Sequence, residues 1–274
     1  MHSVKIDGGS IPKLGFGTFR MSGEDVRRMI PSVLETGYRH VDTAQIYGNE
    51  DAVGDGLVDS GVRRSDVFLT TKIWVDHYRY DDMLRSMDDS LKKLKTDHVD
   101  LLLLHWPSSA VSLEEQIRGL NAIASAGKTR HIGVSNFSTA LMKASAMLSE
   151  KPLVTNQVEY HPYLDQTKVL TTARELGMCV TAYYAMADGK VLQDETIRAI
   201  AAKHSKSAAQ IVLRWLVQQE GVIALSKTVS EERAKQNFKI FDFNLSGEEM
   251  FSIHKLAHPQ GRLVSPDGLA PKWD

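Results

Sequence analysis

The sequence carries a single cysteine, Cys179, so no disulfide can form within the chain. A lone thiol in a chain of this size suits a reducing compartment. Long apolar runs are also missing. The longest, Val99 to Leu104, is broken by Asp100 and falls far short of the roughly 20 residues that cross a bilayer. The opening MHSVKIDGGSIPKLGFG lacks the basic start and apolar stretch of a secretory signal. An excess of charge is absent too. A formal net charge of -1 over 274 residues argues against nucleic acid or an anionic membrane as the main partner. The histidines show no metal-ligand spacing; His98 and His105 fall on opposite faces of a strand, so no metal is expected. These absences lead to the expectation of a cytoplasmic protein acting on small molecules.

What is present is a globular balance, 42% hydrophobic and 24% charged, in a regular alternation. Short runs rich in Val, Ile and Leu occur at Leu14–Gly17, Arg39–Asp42, Val67–Lys72, Val99–His105, Arg130–Ser135, Val154–Glu159, Cys179–Tyr183 and Val222–Leu225. They suit strands buried on both faces. Amphipathic stretches lie between them. Asp81–Leu94 sets Met83, Met87, Leu91 and Leu94 on one face, and Leu113–Ala126 and Ser207–Gln219 repeat the pattern. Ser112, Ser230 and Ser246 are candidate N-caps, and Gly127 and Gly177 candidate stops. Eight strands each followed by a helix predict a (β/α)₈ TIM barrel, an α/β fold of roughly 250 residues. A doubly wound sheet would bring a Gly-x-Gly-x-x-Gly turn. Here Gly15–Phe16–Gly17–Thr18–Phe19–Arg20 lacks the third glycine. No linker or low-complexity segment divides residues 1–274, so one domain is expected. Val4–Ile6, Gly8–Gly9 and Ile11–Pro12 predict an N-terminal β-hairpin closing one barrel end.

Four polar residues sit at or just after strand ends, where barrels place working groups: Asp42, Tyr47, Lys72 and His105. Together they suit reduction of a carbonyl. Oxygen gains negative charge as hydride arrives, so a proton donor is needed there. A free tyrosine, with pKa near ~10, is a poor donor at neutral pH, and a lysine cation beside it lowers that value. Asp42 would hold Lys72 charged and aimed, Tyr47 would give the proton, and His105 would orient the substrate oxygen. Singly, each reads more plainly as structure: a cap, an ion pair, a core histidine, a loop tyrosine. Their combination reverses that preference.

The flanks of these residues carry a family resemblance. LGFGTF, GYRHVDTAQIYGNEDAVG, TTKIW, LLLLHWP, IGVSNFS, NQVEYHPYL and SKTVSEERAKQNF before FDFNLS stand in order over nearly the whole chain. The chain resembles the aldo-keto reductase family, and its short tail, SPDGLAPKWD, looks like bacterial 2,5-diketo-gluconate reductases. The resemblance implies a barrel with NADPH across the strand ends, reducing an aldehyde or ketone to an alcohol. It places the catalytic tetrad on Asp42, Tyr47, Lys72 and His105. It also implies cofactor contacts. Ser135, Asn136 and Gln157 would meet the nicotinamide carboxamide and Tyr183 would stack on the ring. Lys227, Thr228, Arg233 and Asn237 would hold the 2′-phosphate and adenine, with Gly17 and Thr18 along the same path. Phe19, Trp74 and Trp106 would wall the substrate pocket. A monomer is the family default.

Three departures stand out. Tyr184–Ala185–Met186 replaces the usual Ser-Pro-Leu, with Lys190 a possible substitute at the pyrophosphate; Ser226 stands where proline is usual; and Gln236 replaces a frequent glutamate. The rival readings are a redox-sensing or structural subunit that binds the cofactor with vestigial catalysis, and a metal- or phosphate-dependent barrel enzyme without nicotinamide.

Overall fold

The computed structural model describes residues 2–274. It opens on β1 (Ser3–Ile6) and β2 (Gly9–Pro12), paired antiparallel, with Gly8 turning the chain at φ +71°. Eight parallel strands follow: β3 (Leu14–Gly17), β4 (His40–Asp42), β5 (Phe68–Ile73), β6 (Val99–Leu104), β7 (Thr129–Ser135), β8 (Leu153–Glu159), β9 (Cys179–Tyr183) and β10 (Val222–Ser226). Each pairs with the next, and β10 closes on β3 with Leu225 beside Gly15. This is the (β/α)₈ barrel expected from the sequence, with strand ends shifted by a residue at most.

The helices are α1 (Gly23–Thr36), α2 (Glu50–Asp59), α3 (Tyr80–Leu94), α4 (Leu113–Ser125), α5 (Thr139–Leu148), α6 (Thr167–Glu175), α7 (Glu195–His204), α8 (Ala208–Gln218), α9 (Glu231–Phe238) and α10 (Gly247–His254). One point differs from a strict alternation: β9 and β10 are each followed by two helices. Helix ends follow their residues. The Ser112, Ser230 and Ser246 side chains accept from the backbone N–H three residues on. Each such cap contributes about 1 kcal/mol. Gly127 and Gly177 leave their helices at φ +74° and +69°, where a Cβ is disfavoured.

Two apolar cores result. The larger lies between barrel and helices, where α3 buries Met83, Met87, Leu91 and Leu94. The smaller fills the barrel with Leu101, Leu103, Val154, Cys179 and Ile223, and Val4 and Ile11 of the hairpin pack onto it. The hairpin therefore closes the N-terminal end. Enclosure in that core pushes the Cys179 thiol up to about 11 and leaves it unreactive.

Polar anchors brace this closed end. Asp100, the acid that breaks the apolar run, is buried and accepts from Leu69 N–H (2.9 Å), Arg64 (2.9 Å) and Arg130 (3.1 Å). His40 is buried beside Thr70 (3.2 Å). A Cβ on Gly15 would lie 2.7 Å from its ring, so only glycine fits there. Burial lowers the His40 pKa to about 4, with the Lys72 charge adding to the effect and Asp42 and Asp100 opposing it.

The folded state thus binds the His40 proton less readily than the unfolded chain. Its contribution to stability is fully present above pH ~6.5 and lost as pH falls toward 4, a change of about 3 kcal/mol. Urea unfolding at intervals from pH 7 to 4 should show this decline, and His40→Asn should flatten it. An equally steep slope in the variant would remove His40 as its source.

Candidate active site

Asp42, the last residue of β4, and Lys72, next to last in β5, point into the C-terminal end of the barrel. Lys72 has no exposed surface. Its Nζ donates to Asp42 Oδ1 (2.6 Å), the Thr43 carbonyl (2.8 Å) and Tyr47 Oη (3.3 Å), which uses all three N–H bonds. Tyr47 ends a 3₁₀ turn, Gln45–Tyr47, and is only half-buried. The His105 ring lies edge-on 5.6 Å from that of Tyr47 and 5.3 Å from that of Trp74. The four residues singled out in the sequence therefore meet at one rim.

Their protonation follows from burial. Desolvation lowers the Lys72 pKa, while Asp42 opposes the shift by contact and charge. Burial first, then the Lys72 charge, holds His105 well below its usual range, so its imidazole is neutral. Its Nδ1 is buried without a partner, which leaves Nε2 as the atom open to the cleft. Tyr47 departs from the sequence-based expectation. Burial and then the Asp42 charge push its phenol well above the ordinary value, although Lys72 touches it. At neutral pH this phenol carries its proton.

The expected carboxamide residues form an adjoining network. Gln157 Nε2 donates to Asp42 Oδ2 (2.8 Å), so both carboxylate oxygens are held. Ser135 Oγ donates to the Gln157 carbonyl (2.8 Å). Asn136, left-handed at φ +64°, donates to the His105 carbonyl (3.0 Å) and accepts from Tyr183 Oη (2.6 Å). Neither Ser135 nor Asn136 caps α5; Ser138 does. Thr18 donates from Oγ1 to the Asp42 carbonyl (3.2 Å), and a Cβ on neighbouring Gly17 would meet nothing nearer than 3.9 Å. Phe19 is exposed with its ring 5.0 Å from Tyr47, and Trp106 is buried with its ring 6.3 Å from that of Trp273.

Lys227 and Thr228 lie on the β10–α9 turn and Arg233 and Asn237 within α9, with no hydrogen bond to the four rim residues among the described residues. Lys227 and Arg233 are exposed and make no ion pair among the described residues. Glu231 faces Arg28 instead (3.8 Å), and Glu232, next to Arg233, accepts from Gln236 (3.1 Å). Ser226 is buried, with its hydroxyl 3.3 Å from Tyr38 Oη, which also donates to the Ala234 carbonyl (3.1 Å). That bond path ties the end of β10 to α9, where a proline would have stiffened the turn. In the Tyr184–Lys190 loop, Tyr184, Ala187 and Asp188 all adopt positive φ, and Tyr184 donates to Asp188 (2.5 Å). Lys190 is exposed and borders a cavity of about 190 Å³ with Tyr163, His258 and Leu263.

Sequence reasoning missed the role of Glu159, which has no exposed surface at the end of β8. Its carboxylate accepts from the backbone N–H of Leu263 (2.7 Å) and Val264 (2.9 Å) and faces His161 (2.9 Å) and Arg262 (3.7 Å). The irregular tail is thereby fixed across the rim. Arg262 stacks on Trp273 at 3.7 Å, Trp273 faces Trp106, and Asp274 accepts from Thr139 N–H (2.9 Å). The one signal was the single charged residue of its strand, at the end of Leu153–Glu159.

The model of the "Aldo/keto reductase family" matches residues 13–258. The chain belongs to that family. It is 43% identical over 268 residues to methylglyoxal reductase DkgB of Escherichia coli O157:H7, covering 97% of this chain and 100% of that protein. A crystal structure provisionally named a 2,5-diketo-D-gluconic acid reductase B superposes with TM-score 0.99 at 61% identity, covering 100% of this chain and 98% of that one. A Bombyx mori aldo-keto reductase in complex with NADP gives TM-score 0.88 at 32% identity, covering 93% and 92%.

Removing Lys72 would leave Asp42 buried without its cation. Lys72→Met should therefore lower the unfolding free energy by about 3–5 kcal/mol in urea titrations. Adding Asp42→Asn should restore part of that loss; equal losses in the single and double variants would show that the pair does not set the cost.

Proposed function

We propose that this chain is an NADPH-dependent reductase of small aldehydes and ketones, with α-dicarbonyls of the methylglyoxal type as its substrates. One observation carries the reading: a protonated phenol, Tyr47, lies 3.3 Å from a buried ammonium at the open barrel rim. The names of the relatives support the substrate class, and the NADP complex of the Bombyx relative supports the cofactor. Residues 1–274 then act as one unit.

When bound, NADPH supplies hydride to the carbonyl carbon. The residues do the rest. His105, neutral, directs its Nε2–H at the substrate oxygen and sets its orientation. Tyr47 gives its phenolic proton to that oxygen as negative charge builds there. The phenolate left behind faces the Lys72 ammonium, and solvent returns the proton through the half-buried ring edge. Asp42 keeps Lys72 charged. Oxidation of an alcohol runs the same steps backward.

The cofactor fits the residues present. Ser135, Asn136 and Gln157 offer amide and hydroxyl groups at the rim, and Tyr183 is anchored by its hydroxyl beside them. Exposed Lys227 and Arg233 flank a capped helix N-terminus, a suitable setting for a phosphate dianion. That favours NADPH over NADH. Phe19, Trp74 and Trp106 offer aromatic walls to a small carbonyl compound.

The decisive assay follows absorbance of reduced nicotinamide with methylglyoxal. Tyr47→Phe should cut kcat by about 10²–10⁴-fold and leave NADPH affinity, read by fluorescence quenching, within about twofold. Lost binding with normal turnover per bound cofactor would refute the role of Tyr47, and absent turnover with intact binding in the parent would favour a cofactor-binding subunit. Arg233→Ala should raise KM for NADPH about tenfold, the worth of one charged contact. KM for NADH should stay nearly constant, and equal rises for the two cofactors would sink the 2′-phosphate assignment.

A further inference from the structure

Glu50 is a buried acid that the chemistry above does not use. It is the first residue of α2 and only 2% exposed. Acids at helix N-termini ordinarily face solvent and receive backbone N–H groups, as neighbouring Asp51 faces solvent here. Glu50 turns inward instead. Thr71 Oγ1 donates to its Oε1 (2.6 Å), and Ser90 Oγ of α3 donates to its Oε2 (3.2 Å).

Both contacts lead to the rim. Thr71 adjoins Lys72 on β5. Ser90 Oγ accepts from Gln45 Nε2 (3.1 Å), and Gln45 Oε1 accepts from Trp74 N–H (2.9 Å). Gln45 opens the turn that ends in Tyr47, and Trp74 packs edge-on against His105. Carboxylate, serine and glutamine thus tie α3 to the two segments that present Tyr47 and Trp74. The Glu50 charge also acts on Lys72 in the direction that keeps it an ammonium.

We propose that Glu50 is a positioning residue for the reduction: its carboxylate locks the Tyr47 turn and Trp74 through Ser90 and Gln45, and its charge helps hold Lys72 protonated. This rests on the reading of Tyr47 as proton donor. A purely structural role explains the position poorly. A carboxylate held by two neutral hydroxyls, with no cation in contact, is a costly way to fill a buried site. Burial indeed raises the Glu50 pKa, and the two hydroxyl bonds and the charges of Lys93 on α3 and Lys72 on β5 oppose the rise. Lys72 in turn faces Asp42, Tyr47, Glu50, His105 and His40.

The test compares parent, Glu50→Gln, Ser90→Ala and Tyr47→Phe at saturating NADPH with methylglyoxal. Glu50→Gln should be at least as stable as the parent and bind NADPH within about twofold, yet lose about tenfold or more in kcat, about one decade of rate. Its alkaline limb of kcat should move to lower pH, because removal of a negative charge lets Lys72 deprotonate sooner. Ser90→Ala keeps the charge and breaks the bridge, so kcat should fall with the alkaline limb unmoved. A Glu50→Gln variant with kcat within about twofold of the parent, and the same alkaline limb, overturns the inference. So does one that loses stability while its folded fraction turns over normally. An inactive Tyr47→Phe beside a fully active Glu50→Gln overturns this inference alone; an active Tyr47→Phe overturns the proton-donor reading beneath it.

Discussion

An ammonium group with no exposed surface sets the terms for this end of the barrel. Lys72 must satisfy three N–H bonds away from water, and it does so with a carboxylate, a carbonyl and a phenol. Asp42 is consequently fixed through one oxygen, and its other oxygen fixes Gln157 from the far side of the barrel. The groups proposed for proton transfer and those proposed for the carboxamide are one hydrogen-bonded assembly. The same charge adds to burial in holding His105 neutral.

The two barrel ends divide the work. The N-terminal end is shut by the hairpin and braced by Asp100 and His40, with apolar side chains filling the space above. The C-terminal end gathers groups from β4, β5, β7, β8 and β9, none of which is adjacent to all the others in sequence. Parallel strands make this possible. Every strand points the same way, so every strand end arrives at the same rim.

The barrel was legible in the sequence because its strands are enclosed on both faces and stand out as short apolar runs. Asp42, Lys72 and His105 were legible because polar residues at the ends of such runs are conspicuous. Their protonation was not. Tyr47 reads as a phenol brought down by a lysine, whereas enclosure and the Asp42 charge raise it, and enclosure is a property of the closed ring. The bond between Gln157 and Asp42 spans 115 residues and exists only once β8 and β4 face each other across the barrel. Nothing in the sequence separates Glu50 from its solvent-facing neighbour Asp51, and its inward turn depends on Ser90 of another helix. The tail was silent for a different reason: it has neither helical nor strand periodicity, so nothing in it announces the hold of Glu159.

That hold separates two kinds of change. The tail is pinned at Leu263 and Val264 by Glu159 and at Asp274 by Thr139, and the stretch between forms no helix or strand. Trp273 meets Trp106 from this stretch, and Arg262, just before the first pin, stacks on Trp273. Insertions or exchanges between the pins would reshape the outer wall of the mouth without moving a barrel strand. For the proposed reductase this would make the choice of substrate modular: a lineage could diversify what enters while the groups at the rim, and the free energy that holds them, stay as they are.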